Sequence, residues 1–317
     1  MSSKAFASAA DLEEKQVTFG ALGPGLYAYT AEGDPNSGVI VTDAGVVVVD
    51  TQATPAMAAD VLARIRQVTG RPVTHIVLSH YHAVRVLGAS AYGASTIIAS
   101  RGTWELIRER GQQDYESEAG RFPRLFRSIE SVPGLTWPNV VFDERLTLHL
   151  GGREIEILHL GPGHTKGDTV VWLPKERVLY AGDLVEFGAT PYAGDAYFQA
   201  WPKTLDRLLA LGPEKLVPGR GEALTNAADC RRAIEGTRAF VGELYAAVGA
   251  KAAKGAPLKE AYDEALAKLA PKYGQWVIFQ HCMPFDVSRA YDEAQGHAHP
   301  RIWTAERDRE MWAALAG

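Results

Sequence analysis

The sequence carries one arrangement twice: several short strand patterns, then a helix pattern, then one more strand that ends in a polar loop. In the first half, strand patterns fill residues 25–50, a helix pattern that starts with Pro and is followed by Gly occupies 55–69, and a strand follows at 75–80. In the second half, four strand patterns precede a helix at 202–211 and the short strand of the KLVPG segment. Because each sheet must bury an apolar face against another layer, this repetition predicts two β-sheets with helices on their outer faces.

Two parts of the chain lie outside this repetition. Residues 101–138 are polar, charged and helical in character, which predicts a helical insertion or connector. Beyond about residue 225 helix patterns dominate, so we predict a core domain of residues 1–225 and a C-terminal helical lobe of residues 226–317 packed on it. Within the lobe we predict helices around an irregular segment, at residues 226–253, 257–271 and 304–316, with the irregular segment at 273–303.

The composition limits the kind of partner. A chain of 317 residues with 46% hydrophobic content buries a large core, and its formal net charge of -5 without Lys/Arg runs argues against nucleic acid and anionic membranes. No run approaches the roughly 18 apolar residues of a spanning helix, and the N-terminal segment has no apolar stretch long enough for a signal peptide. We therefore expect a cytoplasmic protein that acts on a small molecule, with an aromatic C-terminal surface available for homo-oligomer formation.

Polar side chains stand where three strands end. His80 and His82 follow one strand, His164 follows another, and Asp183 follows a third. If the strands lie side by side, these loops converge, and three imidazoles with a carboxylate are a suitable ligand set for a divalent metal. The chain has only two cysteines and no CxxC spacing, so we expect His and carboxylate ligands.

These residues, in this order, resemble the metallo-β-lactamase-fold hydrolases over roughly residues 20–225. The resemblance rests on VVVVDTQ at 46–52, the HxH of SHYH, GHTKGD around His164, YAGD around Asp183 and LVPGRG at 216–221. It implies an α/β fold, an αββα sandwich with the metal site at its edge. It also implies that His80, His82 and His164 hold one metal and that Asp183 is a further ligand.

The second metal site of that family is altered here. The family's HxHxDH pattern supplies an Asp and a His to the second metal, but this chain has Val84 and Arg85 at those positions. The family's last ligand, a His in a PGHG-like turn, is replaced by Arg220. Guanidinium groups stay charged and form paired bonds to carboxylates and other anions. We expect Arg85 and Arg220 to occupy the altered site, to pair with Asp183 and to bind an anionic part of a substrate.

The favoured interpretation is a hydrolase of a small ester, thioester or lactone with one metal, zinc first and iron second, in which Asp183, Arg85 and Arg220 are the catalytic residues. Two alternatives stay open: a catalytically silent protein that binds an anion or small molecule on the same fold, and a mononuclear iron oxygenase. In the C-terminal lobe, His281, Cys282 and Asp286 either close over the site or serve packing. We expect at least one side chain of residues 226–317 to reach the cleft.

Overall fold

The structure is a computed structural model, and it describes residues 12–316 of the chain. Two β-sheets form its centre. The first sheet has seven strands in chain order: β1 (Val17–Gly23), β2 (Leu26–Ala31), β3 (Ser37–Thr42), β4 (Gly45–Val49), β5 (Val73–Val77), β6 (Thr96–Ser100) and β7 (Val140–Phe142). The second has five, ordered β12-β11-β10-β9-β8: β8 (Arg145–Leu150), β9 (Arg153–Leu158), β10 (Val170–Leu173), β11 (Val178–Gly182) and β12 (Lys215–Pro218).

Strand direction brings loops from both sheets to one place. β4, β5, β6 and β7 run parallel to one another, and β12 runs parallel to β11, whereas the remaining pairs are antiparallel. Parallel neighbours end at the same edge, so the loops after β4 and β5 lie together, as do those after β11 and β12. The backbone N–H of Asn36 donates to the carbonyl of Gly219 at 2.8 Å and joins the two sheets at this edge.

Helices cover the outer faces. They are α1 (Pro55–Val68), α2 (Ala83–Val86), α3 (Arg101–Arg121), α4 (Trp201–Leu211), α5 (Ala227–Ala252), α6 (Leu258–Tyr273), α7 (Phe279–Ala294) and α8 (Ala305–Ala316), with short 3-10 helices at Leu87–Tyr92 and Ile129–Ser131. The layer between the sheets is apolar and includes Ile40, Val47, Val77, Ile157, Val171 and Val217. The predicted αββα sandwich is therefore confirmed, since each sheet has one face on the other sheet and one face under helices.

The helix α1 shows why this local prediction succeeds. Thr54 caps it, because its hydroxyl accepts a hydrogen bond from the backbone three residues on, and Pro55 fits the first helical position, where a missing N–H costs nothing. Ala58, Val61 and Ile65 form the buried stripe against the first sheet. Burial of the Val61 and Ile65 side chains contributes about 1.5–3 kcal/mol each to the stability of the fold.

The C-terminal region differs from its prediction in one respect. The irregular segment predicted at 273–303 contains the helix α7, so that part of the prediction was wrong. Pro284 lies inside the helix, and most of the residues of α7 are buried, polar ones included. In the sequence, a proline among polar and aromatic residues is typical of an irregular segment. The helix forms nevertheless, and its polar side chains are hydrogen-bonded to a neighbouring loop that is described below.

The proposed division near residue 225 stays a prediction. One continuous cluster of buried side chains contains Leu179 and Leu216 of the second sheet together with Phe240 of α5 and Leu269 of α6. Residues 1–11, which belong to the predicted first domain, lie outside the described residues. Within residues 12–316, no helix has the length and apolar character needed to cross a membrane.

Candidate metal centre

Three histidines meet at the edge where the sheets join. His80 and His82 follow β5, and His164 lies in the loop between β9 and β10. One ring nitrogen of each lies within 4.8 Å of the others, and all three residues are buried. His82 Nδ1 is 3.0 Å from His164 Nε2. The structure thus brings together the three predicted ligands.

In each ring, the nitrogen that points away from the other two histidines has a hydrogen-bond partner, called its outer partner below. These partners are Ser79 Oγ at 2.9 Å from His80 Nδ1, the Tyr192 carbonyl oxygen at 2.7 Å from His164 Nδ1, and Asp195 Oδ2 at 3.2 Å from His82 Nε2. The Ser79 hydroxyl donates to Asp50 at 2.7 Å, so it accepts from His80, as the carbonyl and the carboxylate accept from the other two rings. Each ring therefore carries its proton outward and directs a lone pair inward.

This donor set fits a metal ion. His80 Nε2 is buried and has no hydrogen-bond partner among the described residues. A buried polar atom without a partner calls for an explanation, and three converging imidazole lone pairs provide one. The carboxylate of Asp183 lies beside two of these nitrogens and would be available as a further ligand.

Asp183 stands at the end of β11 beside the histidines. Its Oδ2 atom lies 3.8 Å from His80 Nε2 and 3.7 Å from His164 Nε2. Gly182, with φ 54°, turns the strand, and a Cβ there would lie 2.6 Å from the Cβ of Ser79. Glycine is thus required for the loops after β5 and β11 to approach this closely.

Arg85 holds the other oxygen of Asp183. Its Nη2 donates to Asp183 Oδ1 and, at 2.8 Å, to the carbonyl of Gly219, and its Nη1 donates to the carbonyl of Asn36 at 3.0 Å. A Cβ on Gly219 would lie 2.3 Å from Asp183 Oδ1, so no other residue fits. Both terminal nitrogens of Arg85 are therefore directed at protein oxygens.

Arg220 contacts two carboxylates. Its Nη1 lies 3.2 Å from Asp183 Oδ2 and 3.3 Å from Glu186 Oε1. The predicted contact of both arginines with Asp183 is confirmed by this geometry. Their role toward a substrate anion stays a prediction.

Charges set the protonation of the site. Burial acts to raise the pKa of Asp183, but Arg85, His80 and Arg220 outweigh it and hold the pKa well below its usual range. Burial lowers the pKa of His80 well below its usual value and that of His164 to about 3. These two rings are therefore neutral at pH 7, the form that binds metal.

His82 behaves differently. Burial lowers its pKa, but the nearby carboxylates of Asp114, Asp195 and Glu118 outweigh burial and raise it to about 9. Glu186 is also shifted, because burial and then the charge of Asp183 raise its pKa to about 8. The acidic surroundings therefore favour a cation at His82: in the metal-free protein this is a second proton on the ring, and a metal ion that binds His82 would replace its inward proton.

The helix α3 covers that side with charged residues. Its buried face carries Arg110, Asp114, Glu118 and Arg121. Asp114 and Glu118 accept hydrogen bonds from the backbone N–H groups of residues 83 and 84, at 2.6 and 2.8 Å, and so satisfy the first turn of α2. The sequence predicts a helical insertion here but not the burial of its charged face, because charges at i, i+4 spacing are equally typical of a solvated face.

The site is closed to solvent. None of the six predicted site residues is more than 5% exposed. The covering elements are α3 and the loop after β11, and the C-terminal region packs behind that loop. Asp286 accepts from the backbone N–H of Ala193 at 2.6 Å, Cys282 contacts the Thr190 carbonyl at 3.7 Å, and the ring of His281 lies 4.7 Å from that of Phe122.

The segment 279–286 therefore packs against the loop that covers the site, and the expectation that one of its side chains reaches the cleft stays a prediction. Its side chains contact the loop that supports the histidines. Asp195, the outer partner of His82, cannot be recognised from the sequence, because an Asp that follows a Gly in a loop has the same signal as an ordinary turn residue.

Comparisons with known proteins agree with the geometry. The model of the metallo-beta-lactamase superfamily matches residues 30–220. The chain is similar to a type 2 metallo-beta-lactamase of Bacteroides fragilis, with 32% identity over 121 residues, 37% of this chain and 46% of that protein. It is 26% identical to the type 2 enzyme of Bacillus cereus over 202 residues, 61% of this chain and 70% of that protein. It is 32% identical to the 2,4-dinitroanisole O-demethylase subunit alpha of Nocardioides sp. (strain JS1661) over 181 residues, 56% of this chain and 49% of that protein.

The chain thus spans about half the length of the Bacteroides and Nocardioides relatives. Solved structures support the fold. A metallo-beta-lactamase from Pontibacter korlensis superposes with a TM-score of 0.57 at 21% identity, and the superposition covers 71% of this chain and 99% of the Pontibacter chain. A sec-alkyl sulfatase superposes with a TM-score of 0.70 at 18% identity, and the superposition covers 89% of this chain and 50% of the sulfatase chain. Since the family model spans more than half of the chain and the three histidines converge as described, the chain belongs to the metallo-beta-lactamase superfamily.

Proposed function

We propose that this protein is a hydrolase with a single metal ion held by His80, His82 and His164. The observation that carries the proposal is the inward direction of three imidazole lone pairs, one of them on a buried nitrogen without a hydrogen-bond partner among the described residues. An ion bound there, zinc by ligand preference, supplies a Lewis acid and a water whose pKa is near 7.

Asp183 is proposed as the fourth ligand. Its lowered pKa makes it a weak proton acceptor, so a role as a charged ligand is favoured over a role as general base. Arg85 and Arg220 hold the two oxygens of this carboxylate and keep positive charge where the family's second metal lies. Their catalytic contribution is then electrostatic, as they stabilise negative charge that develops beside Asp183.

The proposed substrate is a small ester, thioester or lactone with an anionic part. The enclosure of every site residue supports a small substrate, because a large one has no open cleft to enter. The names of the similar proteins include lactamases, a demethylase and a sulfatase, so the fold is compatible with several leaving groups.

The same enclosure favours one alternative, a protein that binds a small anion without chemistry. Metal analysis separates the candidates. Protein purified without added metal should contain about one equivalent of zinc, and His82→Ala should lose it, whereas His149→Ala, a change at an exposed histidine, should not. Iron in place of zinc would favour the oxygenase, and absence of both would favour the binding protein.

Turnover is tested with the same variants. We expect the purified protein to hydrolyse at least one member of a panel of short-chain nitrophenyl esters, acyl thioesters and lactones. Activity should disappear on treatment with a chelator and in His82→Ala, and return with zinc only in the unmodified protein. A metal-loaded protein that hydrolyses none of the panel would refute the proposed reaction class.

A further inference from the structure

One loop supplies the outer partners of two of the three histidines. The support loop, residues 190–199, follows β11. Its Tyr192 carbonyl accepts from His164 Nδ1 at 2.7 Å, and its Asp195 carboxylate accepts from His82 Nε2 at 3.2 Å. The orientation of both rings therefore depends on where this loop lies.

The support loop has no regular secondary structure of its own. Its backbone is bound instead by one face of α7. Asp286 accepts from the N–H of residue 193 at 2.6 Å, Arg289 Nε donates to the carbonyl of residue 196 at 2.7 Å, and Glu293 accepts from the N–H groups of residues 198 and 199, both at 3.0 Å. Positions 286, 289 and 293 share one side of a helix, so α7 presents a row of polar groups to the loop.

These α7 side chains are buried, Asp286 and Arg289 completely so. Buried polar groups are costly unless they are bonded, and a core helix serving packing alone would carry apolar residues on this face. Asp292 provides the contrast within α7. It is also buried, but it binds Arg301 and Arg307 of the C-terminal region at 2.8–2.9 Å.

Asp195 is held from the other side as well. Arg110 of α3 donates to its Oδ1 at 3.2 Å, while Oδ2 accepts from His82. The carboxylate therefore lies between a fixed guanidinium and the ring it orients. A displacement of the loop would move this hydrogen bond and turn the inward nitrogen of His82 away from the other two rings.

We propose that α7 and the support loop position the metal ligands, with Asp195 as the positioning residue for His82 and Asp286 as the positioning residue for the loop. The proposal rests on the proposed metal site. It assigns a role in the metal centre to a helix that lies wholly beyond residues 30–220, the part of the chain that matches the family model.

The test measures zinc affinity by competition with a chromophoric chelator, and ligand geometry by the visible spectrum of the cobalt-substituted full-length protein. Asp195→Ala should weaken zinc binding about 10- to 100-fold and change the cobalt spectrum. Asp286→Ala should shift both readouts in the same direction. Asp286→Asn keeps an oxygen acceptor for the N–H of residue 193 and should restore them. Asp292→Asn is the matched control, because Asp292 does not contact the support loop through its side chain. Its zinc affinity should stay within about twofold of that of the parent protein.

The outcomes separate the proposal from the metal site itself. If the parent binds one zinc and both alanine variants bind it equally well with an unchanged spectrum, the proposal is overturned and the metal site stands. If Asp292→Asn weakens binding as much as Asp286→Ala, the effect is general destabilisation, and the proposal is again overturned. A parent that binds no metal overturns both. If Asp195→Ala does not fold, Asp195→Asn decides, because it keeps the shape but loses the charge and should still weaken zinc binding several-fold.

Discussion

The two arginines that bind Asp183 should be energetically coupled. Arg85 and Asp183 are almost completely buried, so water cannot replace a guanidinium that is removed. Breaking one buried pair costs about 3–5 kcal/mol of unfolding free energy. Arg85→Ala should lie at the upper end of this range, because it also leaves the Asn36 carbonyl without its donor and removes one of the two donors to the Gly219 carbonyl.

The double substitution should cost more than the sum of the single ones. Each arginine binds a different oxygen of Asp183, so either single variant leaves the carboxylate with one partner. The double variant removes both of its guanidinium partners. We expect Arg85→Ala with Arg220→Ala to exceed additivity by about 1–3 kcal/mol, within the range measured for residues that share a partner.

The assay is a double-mutant cycle by urea unfolding of the metal-free protein, followed by tryptophan fluorescence. Arg127→Ala is the control, because Arg127 forms a surface pair with Asp60 at 3.1 Å in which both side chains are about half exposed, and it should cost below about 1 kcal/mol. Additivity within about 0.5 kcal/mol, or single effects no larger than that of the control, would refute the argument that the arginines replace a cation at Asp183.

Three further predictions concern other parts of the molecule. The triple variant Val84→Asp, Arg85→His, Arg220→His should raise the metal content from one to two equivalents by elemental analysis, and a folded triple variant that stays at one would contradict the assigned positions. Burial, then Arg121 and Arg220, lowers the pKa of His281 well below 6.5. The unfolded chain thus gains a proton below about pH 6.5 that the folded chain does not, and stability falls with falling pH. His281→Gln should reduce this slope by up to about 1.4 kcal/mol per pH unit in urea titrations at several pH values, and an unchanged slope would exclude this source. Burial also raises the pKa of both cysteine thiols, so a disulfide reagent at about pH 8 should label neither until the protein unfolds, and rapid labelling of the folded protein would contradict their burial.

The positions of site residues that follow from local sequence patterns were predicted correctly. The strand ends that carry His80, His82, His164 and Asp183 follow from alternating apolar runs and turn residues, and the parallel strands bring those ends together. The two arginines were placed beside Asp183 by the family pattern, because each replaces a ligand whose position that pattern defines.

Features that depend on long-range contacts were not predictable. The charged face of α3 and the polar face of α7 are buried because each contacts polar groups from distant parts of the chain. Asp114 of α3 binds residue 83, which is 31 residues away in sequence, and Glu293 of α7 binds residue 198, which is 95 residues away. Sequence patterns report the polarity of a side chain but not its distant partner. Asp195 lacked a signal for the same reason, since its partner His82 is 113 residues away.

Arg85 and Arg220 have a consequence for how the protein is assembled in a cell. A positive charge on a side chain is made together with the polypeptide, whereas a metal ion must be acquired afterwards and can be lost to competing chelators. The part of the cleft around Arg85, Asp183 and Arg220 is therefore complete as soon as the chain folds. Under the proposed single-metal site, scarcity of zinc would limit only the ion at the three histidines, and each new copy of the protein would need one ion where a two-metal protein needs two.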